Sequence, residues 1–355
     1  MKKIISIMIA MLMVLGLVST QSFAEETKKI NVVTTTFPIY DWTRNILGDN
    51  IDHYNLEMLL DNGVDLHSYQ PSVDDIVKIG NADLFIYTGG VSDTWAKDAI
   101  NNATNKNIKV INLVETLGDK AKAEELVEGM EDHDDDHDHD DHDHDDEDHD
   151  DHDHDDEDHD DHDHEDEDHD EHEHHHEHID EHVWLSLKNA DKLCKAIAEQ
   201  LCAIDQQNAD SIMKNYEEYS KQLEDLDDEY EDAVEKSTNK TILVADRFPF
   251  RYLVDDYDLK YYAAFSGCSA ESEASFETVA FLAKKLNELK LKNVLTIDGR
   301  TNKIAETVIQ TSENKDQNIL VLDSMQSVSA EAVKNGASYL TIMKDNLEVL
   351  KQALQ

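Results

Sequence analysis

Residues 277–297, ETVAFLAKKLNELKLKNVLTI, join a helical pattern to a short strand-like run, and this succession recurs along the chain. The apolar residues of 277–289 recur at helical spacing, whereas 293–297 is a short apolar run suited to a buried strand. Seven similar runs, four before and three after a charged central segment, lie at residues 30–36, 53–60, 84–88, 108–113, 241–245, 259–263 and 318–322. Helical stretches also occur at 72–79 and 339–354. This alternation predicts an α/β protein with a mostly parallel sheet in each half, flanked by helices.

The two halves are joined by residues 186–237, which have apolar residues at helical spacing and no proline or glycine. They predict two helices, Leu187–Ile204 and Ala209–Lys236. The second is long and highly charged, and could act as a stiff connector. The expected organisation is therefore a signal segment at 1–24, a lobe at 25–185, the helices at 186–237 and a second lobe at 238–355.

Residues 131–178 contain only Asp, Glu and His, with 31 carboxylates and 17 imidazoles in 48 positions. The unit HDDHDHDDED starts at His139 and His149 and returns nearly unchanged at His159. Without apolar side chains the tract is expected to be disordered. Imidazole suits zinc, copper and nickel, so the tract is expected to collect such ions. A purely solubilising spacer would need charge but not imidazole.

The formal net charge of the chain is −50, and removal of the 31 carboxylates of the tract leaves −19 on the remaining residues. An acidic remainder argues against nucleic-acid or anionic-membrane partners. It does not by itself indicate a metal site, since acidic solvated surfaces are common.

The first 24 residues have the features of a secretory signal. Lys2 and Lys3 precede an apolar run at 4–18, and the small-x-small triplet Ser-Phe-Ala at 22–24 resembles a cleavage site. No cysteine follows, so we expect an exported protein without a lipid anchor. It would be soluble in the periplasm or at the extracellular face of the cytoplasmic membrane.

The three cysteines give no zinc-ribbon or thioredoxin motif. Cys194 and Cys202 are eight residues apart on one predicted helix, roughly 12 Å along its axis, so they cannot pair with each other. A bridge from Cys268 to either one remains possible in an oxidising compartment.

Only three histidines lie outside the tract. His53 falls in a predicted strand and is interpreted as structural. His67, in GVDLHSYQPS at 63–72, and His182, in DEHVWLS at 180–186, each lie just before a predicted helix. Ligands of open α/β sheets gather at such strand-to-helix junctions, so these two are candidate metal ligands.

Three segments carry a family resemblance: GVDLHSYQPSVDD at 63–75, DEHVWLS at 180–186 and SYLTIMKDNL at 338–347. Together they resemble the zinc/manganese solute-binding proteins of bacterial metal ABC importers, in particular the zinc type with its His-rich loop. The resemblance covers residues 30–355. It implies two α/β lobes, a long rigid helix joining them, and one metal at their interface.

The ligands that the resemblance implies are two histidines of the first lobe, which map onto His67 and His182, and two residues of the second lobe. The last of these falls in VLDSM at 321–325, so Asp323 is the candidate, with a helix cap as the alternative role for its side chain.

The third implied ligand is where the chain departs from the family, because Arg247 stands where a His or Glu is usual. A guanidinium cannot bind a cation. The neighbouring Asp246 is the favoured replacement, with an Asp246–Arg247 ion pair as its other interpretation. A water molecule or another side chain is the remaining option, the side chains being Cys268, Glu271 and Glu273.

Two imidazoles with carboxylates fit Zn(II) well and Mn(II) less well. The expected function is capture of Zn(II) and delivery, by a monomer, to the membrane permease of an ABC importer, with the tract as collector or sensor. An exported metal buffer acting without a transporter is the alternative. No enzyme is expected, because HEHHH at 172–176 matches the HExxH protease pattern only by repetition.

Overall fold

A computed structural model describes residues 28–131, 178–269, 273–298 and 301–355 of the chain. The expected signal segment, the tract between residues 132 and 177, and the candidate Glu271 lie outside these ranges.

The first lobe is built on a four-stranded parallel sheet with the strand order β2-β1-β3-β4. Its strands are β1 (Ile30–Thr34), β2 (Tyr54–Met58), β3 (Leu84–Tyr87) and β4 (Lys109–Asn112). Its helices are α1 (Phe37–Leu47), α2 (Val73–Gly80), α3 (Trp95–Asn101) and α4 (Leu113–Leu117). β3 is buried along its whole length, as expected for a parallel strand covered on both faces.

Two helices follow the tract, α5 (Leu187–Ile204) and α6 (Ala209–Lys236), with the bounds predicted from the sequence. At about 1.5 Å per residue, α6 extends over about 42 Å. Near its start the Asn215 amide donates to the Ile46 carbonyl of the first lobe at 3.0 Å. Near its end the Tyr230 hydroxyl donates to the Met343 carbonyl of the second lobe at 2.6 Å. The helix therefore connects the two lobes.

The second lobe repeats the strand order of the first, as β6-β5-β7-β8, and its strand pairs are again parallel. Its strands are β5 (Thr241–Phe248), β6 (Lys260–Ser266), β7 (Asn293–Ile297) and β8 (Asn318–Leu322). Its helices are α7 (Arg251–Asp256), α8 (Phe276–Glu288), α9 (Lys303–Thr311), α10 (Ala330–Lys334) and α11 (Tyr339–Ala353). The prediction of two α/β lobes with mostly parallel sheets is confirmed.

Two local predictions are wrong. His53 does not begin a strand but ends a 3-10 helix at Gly48–His53, where its side chain is exposed. β5 does not stop at Ala245 but continues to Phe248. Its pairing with β6 shifts register between Val244 and Arg247, and this irregularity redirects the chain beside the interface between the lobes.

Buried hydrogen bonds join the lobes directly. The Tyr339 hydroxyl donates to the Trp184 carbonyl at 2.6 Å, and the Trp184 indole donates to the Ser324 carbonyl at 2.9 Å. The Tyr339 backbone N–H donates to the Asp41 carboxylate at 2.9 Å. Because these groups are buried, each needs its partner in the opposite lobe. No helix among the described residues is long and apolar enough to cross a membrane.

The substitution Tyr339→Phe tests this interface. It removes the hydroxyl but keeps the ring, and leaves the buried Trp184 carbonyl without its donor. We expect the free energy of unfolding to fall by about 1–3 kcal/mol in urea denaturation. Tyr40→Phe is the control, because the half-buried Tyr40 hydroxyl has no hydrogen bond among the described residues. Equal losses of unfolding free energy in the two variants would contradict a stabilising hydrogen bond from Tyr339 to Trp184.

Candidate metal centre

His67 and His182 meet at the interface between the lobes. His67 lies in a short 3-10 turn, Leu66–Ser68, between β2 and α2. His182 directly precedes a second 3-10 turn, Val183–Leu185, which leads into α5. The Nε2 atoms of the two rings are 3.1 Å apart, and His182 is fully buried. The structure thus brings together two residues separated by 115 positions in the sequence.

The outer nitrogen of each ring is held by a neighbour. His182 Nδ1 donates to Asp180 Oδ1 at 2.9 Å, and the same oxygen accepts the His182 backbone N–H at 2.8 Å. His67 Nδ1 lies 2.9 Å from the Ser92 hydroxyl. Contacts of this kind fix the orientation of a ring and leave Nε2 as the ligand atom.

One buried carboxyl group lies beside His67, and a second lies near the first. Glu181 Oε2 is 3.8 Å from His67 Nδ1, and Glu181 Oε1 accepts the Ser92 N–H at 2.8 Å. Burial raises the pKa of Glu181 above its ordinary value. Burial also raises the pKa of Asp93 to about 7, and the nearby Glu181 charge adds to this. A cation bound between the imidazoles would favour the ionised form of the nearby Glu181 carboxyl.

One thiol lies close to both rings. The ligand-type atoms of His67, His182 and Cys268 are all within 4.8 Å of one another. Burial raises the pKa of the Cys268 thiol above its ordinary value, and neighbouring acidic groups, with Glu124 the strongest, act in the same direction. All three cysteines are free thiols, so the bridge considered for Cys268 is not formed.

The side chain of Arg247 pairs with the opposite lobe. Its Nη2 is 2.6 Å from the Asp65 carboxylate, and its Nη1 donates to the Ser269 carbonyl at 3.2 Å. Burial alone would raise the pKa of Asp65, but the Arg247 guanidinium holds it below its ordinary value. No local pattern predicted this ion pair, because its two members lie 182 positions apart.

Gln326, which sequence reasoning did not identify, reaches the same place from the second lobe. Its Nε2 is 3.1 Å from His67 Nε2 and also contacts His182 Nε2. Its Oε1 lies 3.5 Å from Arg247 Nη2. A cation between the imidazoles would require this amide to turn away or to present its oxygen.

The predicted carboxylates Asp246 and Asp323 are not part of this group. Within the described ranges, neither forms a cluster of three or more ligand-type atoms within 4.8 Å, and the exposed Glu273 does not either. Asp246 Oδ1 accepts the Arg247 N–H at 2.9 Å, and Asp323 Oδ1 accepts the Met325 N–H at 2.8 Å. Burial, followed by the Asp298 charge, raises the pKa of Asp323 to about 6. Their role as ligands stays a prediction.

Residues 32–353 match a family model described as ZnuA, zinc-uptake complex component A, periplasmic. The chain belongs to this family. The expected kinship is confirmed, and membership of a zinc-uptake component family agrees with the expectation that the protein is not an enzyme.

Among similar proteins, the zinc-binding lipoprotein AdcA of Streptococcus pneumoniae R6 is 30% identical over 352 residues, covering 99% of this chain and 61% of AdcA. The chain thus spans about three fifths of that relative. The high-affinity zinc uptake system protein ZnuA of Bacillus subtilis is 29% identical over 326 residues, covering 92% of this chain and 88% of the relative.

Solved structures support the two-lobe fold. The Zn(II)-bound ZnuA-like domain of Streptococcus pneumoniae AdcA matches with a TM-score of 0.65 at 25% identity, covering 92% of this chain and 99% of that chain. The metal-dependent lipoprotein YcdH of Bacillus subtilis gives a TM-score of 0.67 at 26% identity, with 92% and 99% coverage.

The substitution Asp65→Asn tests the ion pair with Arg247. Asparagine can still cap the His67 turn but leaves the buried guanidinium without its counter-charge. We expect the free energy of unfolding to fall by roughly 2–3 kcal/mol at neutral pH. This loss is smaller than for a fully buried pair because the Asp65 side chain is 20% exposed.

The difference in the free energy of unfolding between wild type and Asp65→Asn should also depend on pH. The folded-state pKa of Asp65 is depressed, so its contribution is present above about pH 4 and is lost as pH falls through the folded value. Denaturant unfolding at several pH values, with a chelator present, measures it. Asp119→Asn, at an exposed carboxylate, is the control. A difference that stays constant into acid would contradict the ion-pair account.

Proposed function

We propose that this protein captures Zn(II) between its two lobes and delivers it to the membrane permease of an ABC-type importer. The observation that carries the proposal is the buried pair of Nε2 atoms 3.1 Å apart. In tetrahedral zinc sites, where the zinc–nitrogen distance is about 2.0–2.1 Å, two imidazole nitrogens lie about 3.3 Å apart. His67 and His182 therefore need only a small shift to share one zinc ion.

Zinc is favoured over manganese as the cargo. Neutral imidazole is a borderline ligand that suits zinc, whereas manganese prefers carboxylate, carbonyl and water oxygens. The names of the relatives agree, since the Bacillus subtilis ZnuA is called a high-affinity zinc uptake protein and the AdcA domain structure is described as Zn(II)-bound. Asp246 and Asp323 are retained as possible further ligands of the second lobe, to be tested as Asn variants.

In this proposal, the His-rich tract has an auxiliary role. It would hold many weakly bound zinc ions and raise their local concentration, or sense them, near the site. The end of the tract at residue 178 is held in the first lobe: Glu124 N–H donates to the His178 carbonyl at 2.8 Å, and Asp180 N–H donates to the Lys122 carbonyl at 2.9 Å. Ions released from the tract would therefore emerge beside His182.

The proposed location is outside the cytoplasm, in line with the family description as periplasmic. We propose that the protein acts there as a monomer, without nucleic-acid partners. The sequence predicts no lipid anchor, whereas the Streptococcus pneumoniae relative is named a lipoprotein. Labelling with a lipid precursor in cells decides between an anchored and a free protein.

Competition between Zn(II) and a chelator tests the function. The protein is compared in two forms, the whole chain and a chain in which residues 132–177 are replaced by a short Gly-Ser linker that leaves the ends of the tract in place. We expect the shortened chain to retain one tight site. His67→Ala or His182→Ala should weaken it by about 100-fold or more, beyond the roughly 10–100-fold cost of losing an outer partner of a metal ligand.

His53→Ala is the matched control, because His53 is an exposed histidine of the same lobe and should leave the affinity unchanged. If the shortened chain binds zinc only weakly, or if His67→Ala does not change its zinc affinity, the histidine pair between the lobes is not the capture site. The exported metal buffer, with the tract as its binding segment, then becomes the better description.

A further inference from the structure

The turn after β6 is packed directly against the His182 ring. Gly267 lies in this turn, and a Cβ atom placed there would be 3.1 Å from Cε1 and 3.2 Å from Nδ1 of His182. The same atom would be 2.9 Å from the Phe248 carbonyl oxygen, which belongs to the backbone and cannot easily move aside. Glycine therefore permits an approach that other residues would prevent, and the next residue along the chain is Cys268.

Contacts on both sides hold Cys268 in this position. Its backbone N–H donates to Glu124 Oε1 at 2.8 Å, in the segment that leads into the tract. The carbonyl of the following residue, Ser269, accepts from Arg247 at 3.2 Å. Arg247, which stands where the family usually has a metal ligand, thus anchors the turn that carries a thiol to the imidazoles.

The distances suit one shared ion. In a tetrahedral site with a zinc–sulfur distance of about 2.3 Å, sulfur lies about 3.6 Å from each ligand nitrogen. The Cys268 sulfur and one ring nitrogen of each histidine are within 4.8 Å of one another, so side-chain shifts of about an ångström suffice. Among the described residues, no carboxylate joins both rings in such a group.

We propose that Cys268 binds the captured metal as a thiolate, giving a site of two histidines and one cysteine. The inference rests on the proposed function, because it concerns the same ion. On binding, the thiol proton passes to solvent and one metal–sulfur bond forms, leaving a net charge of +1 on the ion and its three ligands. The fourth position is open to water or to the Gln326 amide oxygen.

A thiolate ligand also affects which metal ions the site would bind. Sulfur ligands select zinc and softer ions over manganese, which prefers oxygen. Cys268 would thus replace the ligand that Arg247 cannot provide, and it would keep the site suited to zinc.

Cobalt(II) substitution in the whole chain tests the thiolate directly. A thiolate ligand gives cobalt a strong charge-transfer band in the near ultraviolet, which imidazole and carboxylate ligands, including those of the tract, do not give. We expect this band in the reduced wild-type protein, its loss on adding Zn(II), and its absence in Cys268→Ser. Cys202→Ser, at a half-buried thiol that donates to the Ala209 carbonyl at 3.4 Å, should keep the band.

Zinc affinity provides the second readout. Cys268→Ser should weaken Zn(II) binding by the shortened chain about tenfold or more, and Mn(II) binding by less. A tight site that depends on His67, without the band and unaffected by Cys268→Ser, would overturn this inference while the proposed function stands. A zinc affinity unaffected by His67→Ala would overturn the proposed function, and the inference with it.

Discussion

The geometry of the centre depends on the hydrogen bonds that fix residues 180–186 to the second lobe. The Asp180 carbonyl accepts from the Tyr252 hydroxyl at 2.9 Å, and the Trp184 indole and carbonyl bond to Ser324 and Tyr339. All of these groups are buried, so the segment cannot shift without leaving polar atoms unpaired. His182 lies inside this segment, and its ring is therefore held in one orientation beside His67.

The charges around the imidazoles follow from the same arrangement of lobes. A guanidinium so close to a cation site would oppose metal binding if it stood alone. Asp65 neutralises it across the interface at 2.6 Å, and Glu181 lies 3.8 Å from His67 Nδ1. The interface can thus hold both an arginine and a metal ion, because the guanidinium has a counter-charge of its own in Asp65.

Sequence reasoning identified the strands and helices whose apolar pattern is local. The bounds of α5, α6, β7 and β8 agree with the prediction residue for residue. His67 and His182 also emerged, since each stands in a recognisable motif before a helix. The Asp65–Arg247 pair and Gln326 were not predicted, and Cys268 was only one of several alternatives. They depend on the side-by-side placement of lobes and on the register shift in β5, for which no local pattern exists.

In the site that we propose, a single ion is held by His67, His182 and Cys268. The most direct measurement is zinc K-edge X-ray absorption on the chain shortened between residues 131 and 178, loaded with one equivalent of Zn(II). We expect two imidazole nitrogens at about 2.0–2.1 Å and one sulfur at about 2.3 Å from zinc. A first shell made only of nitrogen and oxygen would contradict the thiolate, and a shell without imidazole would contradict the site as a whole.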